Sequence, residues 1–224
     1  MKNQNREKSY YPVCLDLAGR KCVVVGGGEV ARRKVKALLE HRASVEVISP
    51  ELCPGLAALA QNRMIKVVPR FYRNGDLSGA FLAIAATDDA DTNQRVSDEA
   101  HTGRVMVNVV DDAEKSDFIA PSYLRRGGLT IAVSTSGQSP ALARKIRTRL
   151  EALFQEQYGD LARLVQEVRA EIKHDGIRIT EERWQDALEP VALLEMLANG
   201  ERQKARAVLV NRLKGKVESS EVIN

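Results

Sequence analysis

Gly26, Gly27 and Gly28, with Ala31 three residues on, form a G-x-G-x-x-A pattern inside Lys21–Val35, KCVVVGGGEVARRKV. The chemistry this spacing allows is the cradling of a dinucleotide. Gly26 permits a tight turn out of a strand. Gly28 removes a side chain where a pyrophosphate must approach the backbone, and the Ala31 methyl still lets helix and strand pack closely. The helix that follows offers unpaired N–H groups and the positive end of its dipole to phosphate. Arg32, Arg33 and Lys34 crowd its first turns, where anionic side chains are usually favoured. Either solvent or an anionic ligand can receive them.

Three further positions carry candidate chemistry. Ser49, Pro50 and Glu51 fall where a dinucleotide fold meets the adenosine ribose, ~20 residues beyond the glycines. Glu51 is the only acid there and has no Arg or Lys beside it to accept a 2′-phosphate, which favours NAD over NADP; it reads equally as a charge at the start of a helix over Leu52–Ala60. Thr87 follows an apolar run and is a candidate cofactor contact, or the N-cap of a helix around Thr92–His101, or both. Asp111 ends another apolar run, where ligands of open parallel sheets bind. Raised toward neutrality by burial, its carboxylate can act as a general base; the alternative is a solvated turn acid.

These residues need a parallel sheet to hold them. Cys22–Val25, Ser44–Ser49, Ile65–Pro69, Phe81–Ala86 and Val105–Val110 read as strands, with a helix over Glu29–Leu39 after the first. Val13–Leu17 reads as a short strand or an extended lead-in, and residues 1–12 as loose. After Asp112 the pattern changes. Asp117–Pro121 and Leu129–Thr135 read as a hairpin-like pair around a Gly127-Gly128 turn. Ser139 and Pro140 then mark a helix start, and the helix Ala141–Phe154 carries Leu142, Ile146, Leu150 and Leu153 on one side. From Glu151 onward only helical periodicity remains, with further helices over Trp184–Ala198 and Arg202–Leu213, and Glu218–Asn224 frayed.

Composition narrows the function classes. The net charge of +4 on 224 residues is too small and too evenly spread to argue for nucleic acid, and an aromatic content of 4% gives no stacking platform for single strands. No apolar run approaches the ~20 residues that span a bilayer, and the start, MKNQNREKSYY, lacks the apolar core of a signal peptide. Cys14, Cys22 and Cys53 show no CxxC spacing and read as reduced packing residues of a cytoplasmic protein. His41, His101 and His174 are too scattered for a zinc site, and no metal ligand set is expected.

Read together, VVVGGGEVARRK, LAIAATDD, NQRVSDEA, VNVVDD and DFIAPSYLRRGGLTIAVSTSGQSPALARKIR closely resemble the precorrin-2 dehydrogenase family, the dehydrogenase and ferrochelatase part of siroheme synthases. The resemblance is strong over about residues 10–155 and loose over the helical tail. It implies NAD-dependent oxidation of precorrin-2 to sirohydrochlorin, with insertion of ferrous iron (Fe2+) by some members to give siroheme. It also implies an intertwined homodimer and the tetrapyrrole as small-molecule partner. The family's catalytic aspartate corresponds to Asp111. Its cofactor contacts correspond to Glu29 and Val30 after the glycines, and to Pro50 and Glu51 after the second strand. A functionally important serine, phosphorylated in some members, corresponds to Thr135, flanked by Ser134 and Ser136; the change of residue type argues against phosphorylation here. The methyltransferase domain of fused members is missing from this sequence, so the methylations are expected from another protein.

A substrate ringed by carboxylates needs positive charge, and Arg125, Arg126, Arg144, Lys145 and Arg147 cluster after the hairpin, although a solvated helix face explains many such residues. The expected architecture is α/β: an NAD-binding Rossmann-like domain over residues 1–113, a small α+β dimerisation region over 114–150 and an all-α C-terminal domain over 151–224. The competing reading is a regulatory module that senses NAD and contacts a partner through its helical tail.

Overall fold

The computed structural model describes residues 9–215, and the contacts divide the chain into two units, Met1–Ala120 and Pro121–Asn224. The expectations for the first residues of the loose start and for Glu218–Asn224 lie outside the described residues.

The first unit is built on five parallel strands: β1 (Lys21–Val25), β2 (Ser44–Ile48), β3 (Lys66–Val68), β4 (Leu82–Ala85) and β5 (Met106–Val109). They lie in the order β3-β2-β1-β4-β5, so β1 is central and the order reverses beside it. Both faces of such a sheet are covered by crossovers, which is why its strands are mostly apolar. Their period-two alternation divides the core. Cys22, Val24, Val45, Val47, Leu82 and Ile84 face one side, against Ala31, Val35 and Leu38 of α1 (Glu29–Glu40) and Leu56 of α2 (Pro54–Gln61). Val23, Val25, Ile48, Ala83, Ala85, Val107 and Val109 face the other, against Val96 and Ala100 of α3 (Ala90–Gly103). The connection between β3 and β4 forms no helix. It is held by Glu99 on α3, whose carboxylate accepts the backbone N–H groups of Gly75 and Leu77 and the hydroxyl of Tyr72.

Of the two readings of Val13–Leu17, the strand is not formed: the stretch has no regular secondary structure and is exposed except for Leu17. One expectation for this unit needs correction: Asp117–Pro121 is not a strand. Its neighbourhood instead finishes the edge of β5 with side chains: Asp117 Oδ2 accepts from Val107 N at 2.9 Å, and Ser116 Oγ accepts from Val109 N at 2.9 Å. Backbone groups that a sixth strand would pair are satisfied in this way, and the edge closes.

In the second unit, β6 (Ser122–Arg126) and β7 (Leu129–Val133) pair antiparallel around the two-residue Gly127-Gly128 turn. The hairpin is thus as expected in its turn, but its first strand begins later in the chain. It is followed by α4 (Pro140–Leu153), α5 (Gln157–His174), α6 (Glu181–Ala187), α7 (Pro190–Ala198) and α8 (Arg202–Lys214). The single helix expected over Trp184–Ala198 is two. Pro190 lacks the N–H that a continuing helix needs, and Glu189 caps the second piece by accepting from Val191 N. Leu164, Val168, Leu193, Ala205, Leu209 and Leu213 are fully buried together and form the core of the bundle. Gly159, at the start of α5, lies so close to the hairpin that a Cβ there would stand 2.8 Å from the carbonyl carbon of Arg126.

The cysteines do not share one role. Cys22 is buried in β1 and Cys53 is half-buried, whereas Cys14 is exposed, so it is not the packing residue expected. Burial pushes the Cys22 thiol up to about 11. At pH 8 a thiol reagent should therefore label Cys14 quickly and leave Cys22 untouched until the chain is unfolded; mass spectrometry of the labelled peptides checks this. Trp184 is the sole tryptophan, and it packs against the bundle core. Leu209→Ala should cost ~2–5 kcal/mol, read as a lower urea midpoint for the fluorescence of Trp184.

Candidate functional site

The turn Gly26–Gly28 leaves β1 at the carboxyl edge of the sheet, beside the point where the strand order reverses. Gly26 has φ +124°, and a Cβ on it would stand 2.2 Å from the carbonyl oxygen of Ala86, the residue after β4. A Cβ on Gly27 would stand 1.8 Å from the carbonyl oxygen of Glu51 and 2.6 Å from Ser49 Oγ, both beyond β2. Backbone bonds fix the same approach: Gly26 N donates to Ile48 O at 2.9 Å, and Cys53 N donates to Gly27 O at 2.8 Å. Ser49 is buried and donates its hydroxyl to Glu51 O at 2.7 Å, which folds the loop after β2 against the glycines.

Gly28 differs from both. It is exposed, and a Cβ on it would meet nothing within 4 Å. It is also the N-cap of α1, with no side chain capping the helix start. The packing requires glycine at Gly26 and Gly27. At Gly28 the protein itself leaves the space open, in front of a helix N-terminus whose N–H groups suit an anion. That arrangement fits a dinucleotide pyrophosphate.

The other sequence candidates fall around this turn with varied partners. Glu29 is exposed, and its carboxylate accepts from Arg32 Nε at 2.7 Å. That bond, helped by the thiol of Cys53, holds the Glu29 carboxyl below the usual carboxylate range. Arg32 is thus paired within its own helix, and its stem covers Gly55. Val30 is half-buried, while Pro50 and Glu51 are exposed. Glu51 is not a helix-start charge, because α2 begins at Pro54 with Cys53 as its N-cap; its side chain is left at the rim.

Thr87 is not the N-cap of α3 either. That position belongs to Asp89, which accepts from Thr92 N. Thr87 Oγ1 instead bonds Asn93 Oδ1 at 2.9 Å, and Asn93 Nδ2 donates to Thr87 O at 2.9 Å. Thr87 thereby fixes the exit of β4, the same backbone that Gly26 approaches.

Asp111 stands two residues beyond β5, exposed, with φ +61°. Aspartate tolerates this left-handed conformation better than most residues. The turn is fixed by Ser116, whose hydroxyl donates to Asp112 O at 2.6 Å while accepting from Val109 N. Asp111 is therefore not the buried carboxylate that one sequence reading required. One neighbour escaped the sequence reading. Lys34, on α1, is half-buried, and its Nζ lies 3.5 Å from Oδ1 of buried Asn108 on β5. In sequence it is one of three consecutive cations, and nothing there separates it from Arg33.

In the second unit Ser134, Thr135 and Ser136 form the loop between β7 and α4. Ser134 Oγ accepts from Ser136 N at 3.1 Å, and Thr135 Oγ1 accepts from Ser139 N at 3.0 Å. Ser136 and Gly137 have φ +52° and +85°. Ser139 caps α4 by accepting from Leu142 N, and Pro140 follows, as the sequence indicated. Arg144 and Lys145 are exposed along α4 and, with Pro140, Ala141, Thr148 and Arg149, line a shallow groove. Two of the basic residues grouped with them are engaged: Arg147 pairs with Glu151, and Arg126 donates to Phe154 O at 3.0 Å.

Comparison with known proteins matches this layout. Residues 13–122 match a family model described as NAD(P)-binding, and residues 126–153 match one described as sirohaem biosynthesis protein central. The siroheme synthase of Chromobacterium violaceum is 41% identical over 206 residues, 91% of this chain and 44% of that protein. The siroheme synthase of Thioalkalivibrio sulfidiphilus is 43% identical over 208 residues, 91% of this chain and 42% of that protein. The chain is thus similar over most of its length to part of these siroheme synthases. It spans less than half the length of these siroheme synthases. A solved structure of SirC, precorrin-2 dehydrogenase, covers 92% of this chain and is itself covered in full, with a TM-score of 0.67 and 25% identity. The first unit is thus an NAD-binding Rossmann domain, joined to a siroheme-synthase-like region.

Gly28 separates binding from folding. Gly28→Ala should fold, with a melting temperature lowered by no more than a few degrees for the weaker N-cap, and lose about 10–100-fold in NADH affinity, the cost of about 1–3 kcal/mol for a methyl set into a filled contact. Gly27→Ala should lower the melting temperature itself. Fluorescence titration with NADH, beside thermal melts, checks both.

Proposed function

We propose that the chain is an NAD-dependent precorrin-2 dehydrogenase, which oxidises precorrin-2 to sirohydrochlorin. The observation that carries this reading is the sharing of one sheet edge by the glycine turn, open at Gly28, and by Asp111 beyond β5. Gly26, Gly28, Glu29, Val30, Pro50, Glu51 and Thr87 form the cofactor site. Of these, Gly28 and the N-terminus of α1 receive the pyrophosphate, and Glu51 receives the ribose hydroxyls.

When bound, NAD+ takes the hydride that leaves the macrocycle, and one proton is released with it. The chain's own part is to hold the two reactants together and to move that proton. Asp111 is the catalytic residue. Its carboxylate accepts the proton, and its exposure at the rim keeps it within reach of a bulky substrate. Ser134, Thr135, Ser136 and Arg144 bind the tetrapyrrole. The exposed charge of Arg144 and the hydroxyl-rich loop before α4 suit a ligand ringed by carboxylates.

Ferrous iron is a second substrate in this reading, inserted into sirohydrochlorin. Among the described residues no group of three or more His, Cys, Asp or Glu side chains is placed to hold a metal, so the macrocycle nitrogens supply the ligands. A homodimer is favoured by α4, which exposes Leu142, Ile146 and Leu153 on a helix whose only buried residue is Ala143. The apolar side read from the sequence is therefore uncovered among the described residues, and residues 114–150 serve as the dimerisation region between residues 1–113 and 151–224. Free cysteines suit the reducing cytoplasm, and no helix among the described residues is long and apolar enough to cross a membrane.

The test is a coupled anaerobic assay. Enzymatically made precorrin-2 and NAD+ should give NADH and the spectrum of sirohydrochlorin, and Fe2+ added afterwards should give a protein-dependent shift to siroheme. Asp111→Asn keeps the backbone conformation and should lower kcat by about 10²–10⁴-fold with NADH affinity retained. Absence of NADH formation by a protein that still binds cofactor would point to an NAD-sensing module instead.

A further inference from the structure

Arg32 has no part in the cofactor site as assigned above, yet the fold fixes its side chain in two places. It lies at the start of α1, the helix whose N-terminus faces that site. At its head, Glu29 Oε2 accepts from Arg32 Nε at 2.7 Å and lies 2.6 Å from Nη2. Along its stem, Cδ lies 2.3 Å from where a Cβ on Gly55 would stand.

Gly55 is the second residue of α2. Glycine is a poor helix former, and Gly55 is not among the glycines with positive φ, so no turn demands it there. What it provides is room for the Arg32 stem. Arg32 is thereby seated across the opening of α2, which begins three residues beyond Glu51. Two bonds tie this place to the glycine turn: Cys53 N donates to Gly27 O at 2.8 Å, and the Cys53 thiol bonds to the Glu29 carboxylate.

This arrangement bears on which dinucleotide is taken. Along the chain no cation stands beside Glu51. Across the fold, Arg32 lies on the helix that follows it. A guanidinium near the adenosine ribose is the group that accommodates a 2′-phosphate, but here Glu29 already answers its charge. We propose that Arg32 sets the choice of dinucleotide: forked to Glu29 and seated on Gly55, its guanidinium is withheld from a 2′-phosphate, and the site takes NAD rather than NADP. The inference rests on the cofactor site proposed above and names what tunes it.

An ion pair as exposed as this one contributes little to folding. Its consequence falls on the ligand. A 2′-phosphate that took Arg32 would exchange one anion for another and leave Glu29 without its partner. Without the Glu29 charge, the same phosphate would gain a charge-assisted hydrogen bond outright. The bond from Arg32, with that from Cys53, holds the Glu29 carboxyl below its usual range, so the fork stays charged at neutral pH.

Fluorescence titrations of the full chain with NADH and with NADPH test this, with thermal melts of each variant beside them. Glu29→Gln keeps an oxygen that can accept from Arg32 but removes the charge. It should raise the affinity for NADPH relative to NADH by about 10-fold, the value of one exposed charge-assisted hydrogen bond, and the gain should shrink as salt is added. Made in an Arg32→Gln background, the same substitution should move that ratio by less than about 2-fold. This non-additivity is the signature of a cation released by loss of its partner; a carboxylate that merely repels phosphate acts equally in both backgrounds.

A ratio unmoved by Glu29→Gln overturns the inference. So does a gain that persists in full without Arg32. Either result, with NADH still bound by the wild-type chain, leaves the cofactor site standing. Failure of the wild-type chain to bind NADH removes the cofactor site itself, and this inference with it.

Discussion

The geometry of the first unit depends on how closely three stretches of backbone approach at the carboxyl edge of the sheet. Gly26 lies against the carbonyl of Ala86, and Gly27 against that of Glu51, at separations that no side chain survives. These contacts join the exits of β1, β2 and β4 into one surface, and hydrogen bonds from Gly26 and Cys53 hold it shut. The absence of two Cβ atoms thus does structural work first. Only the third glycine, with open space in front of it, is left over for a ligand. Glu51 and Thr87 are at the cofactor rim because the backbones beside them are the walls against which the glycines pack.

Much of this arrangement is legible in the sequence, for physical reasons. A strand buried on both faces must be apolar along its length, so Cys22–Val25 and Phe81–Ala86 stand out. A turn that squeezes between two carbonyls must be glycine, so Gly26-Gly27-Gly28 stands out as well. The sequence failed where side chains replace backbone pairing. Asp117–Pro121 looks like a strand because it is apolar and follows one, yet the edge of β5 is finished by the Ser116 hydroxyl and the Asp117 carboxylate. The helix over Trp184–Ala198 looked continuous by its apolar spacing, but the missing N–H of Pro190 decides the matter locally. Lys34 was hidden for another reason. Its sequence neighbours are cations too, and only the tertiary contact with Asn108 distinguishes a half-buried ammonium from a solvated one.

The second unit obeys different constraints. Its bundle core of Leu164, Val168, Leu193, Leu209 and Leu213 is closed within the chain, whereas α4 keeps large apolar side chains in water and buries only Ala143. A stripe that is amphipathic in sequence reads as a core face, and the sequence alone cannot distinguish a face covered by its own chain from one covered by a second. The loop before α4 is determined more locally. The hydroxyls of Ser134, Thr135 and Ser139 each accept a backbone N–H, so their placement follows from short-range rules for turns and caps.

The pairing of β1 with β4, Cys22 opposite Leu82 through Val25 opposite Ala85, also sets an order of events during folding. Parallel pairing between distant segments carries a closure cost that local helices do not bear, and it comes late. The glycine turn is made early in the chain, but one of its walls, the carbonyl of Ala86, arrives only when β4 has docked beside β1. The nucleotide cradle is accordingly among the last parts of the sheet to take shape. A ligand that recognises the cradle cannot guide the collapse that precedes it; it can only retain the molecules that have finished, and so acts as a check on completed folding.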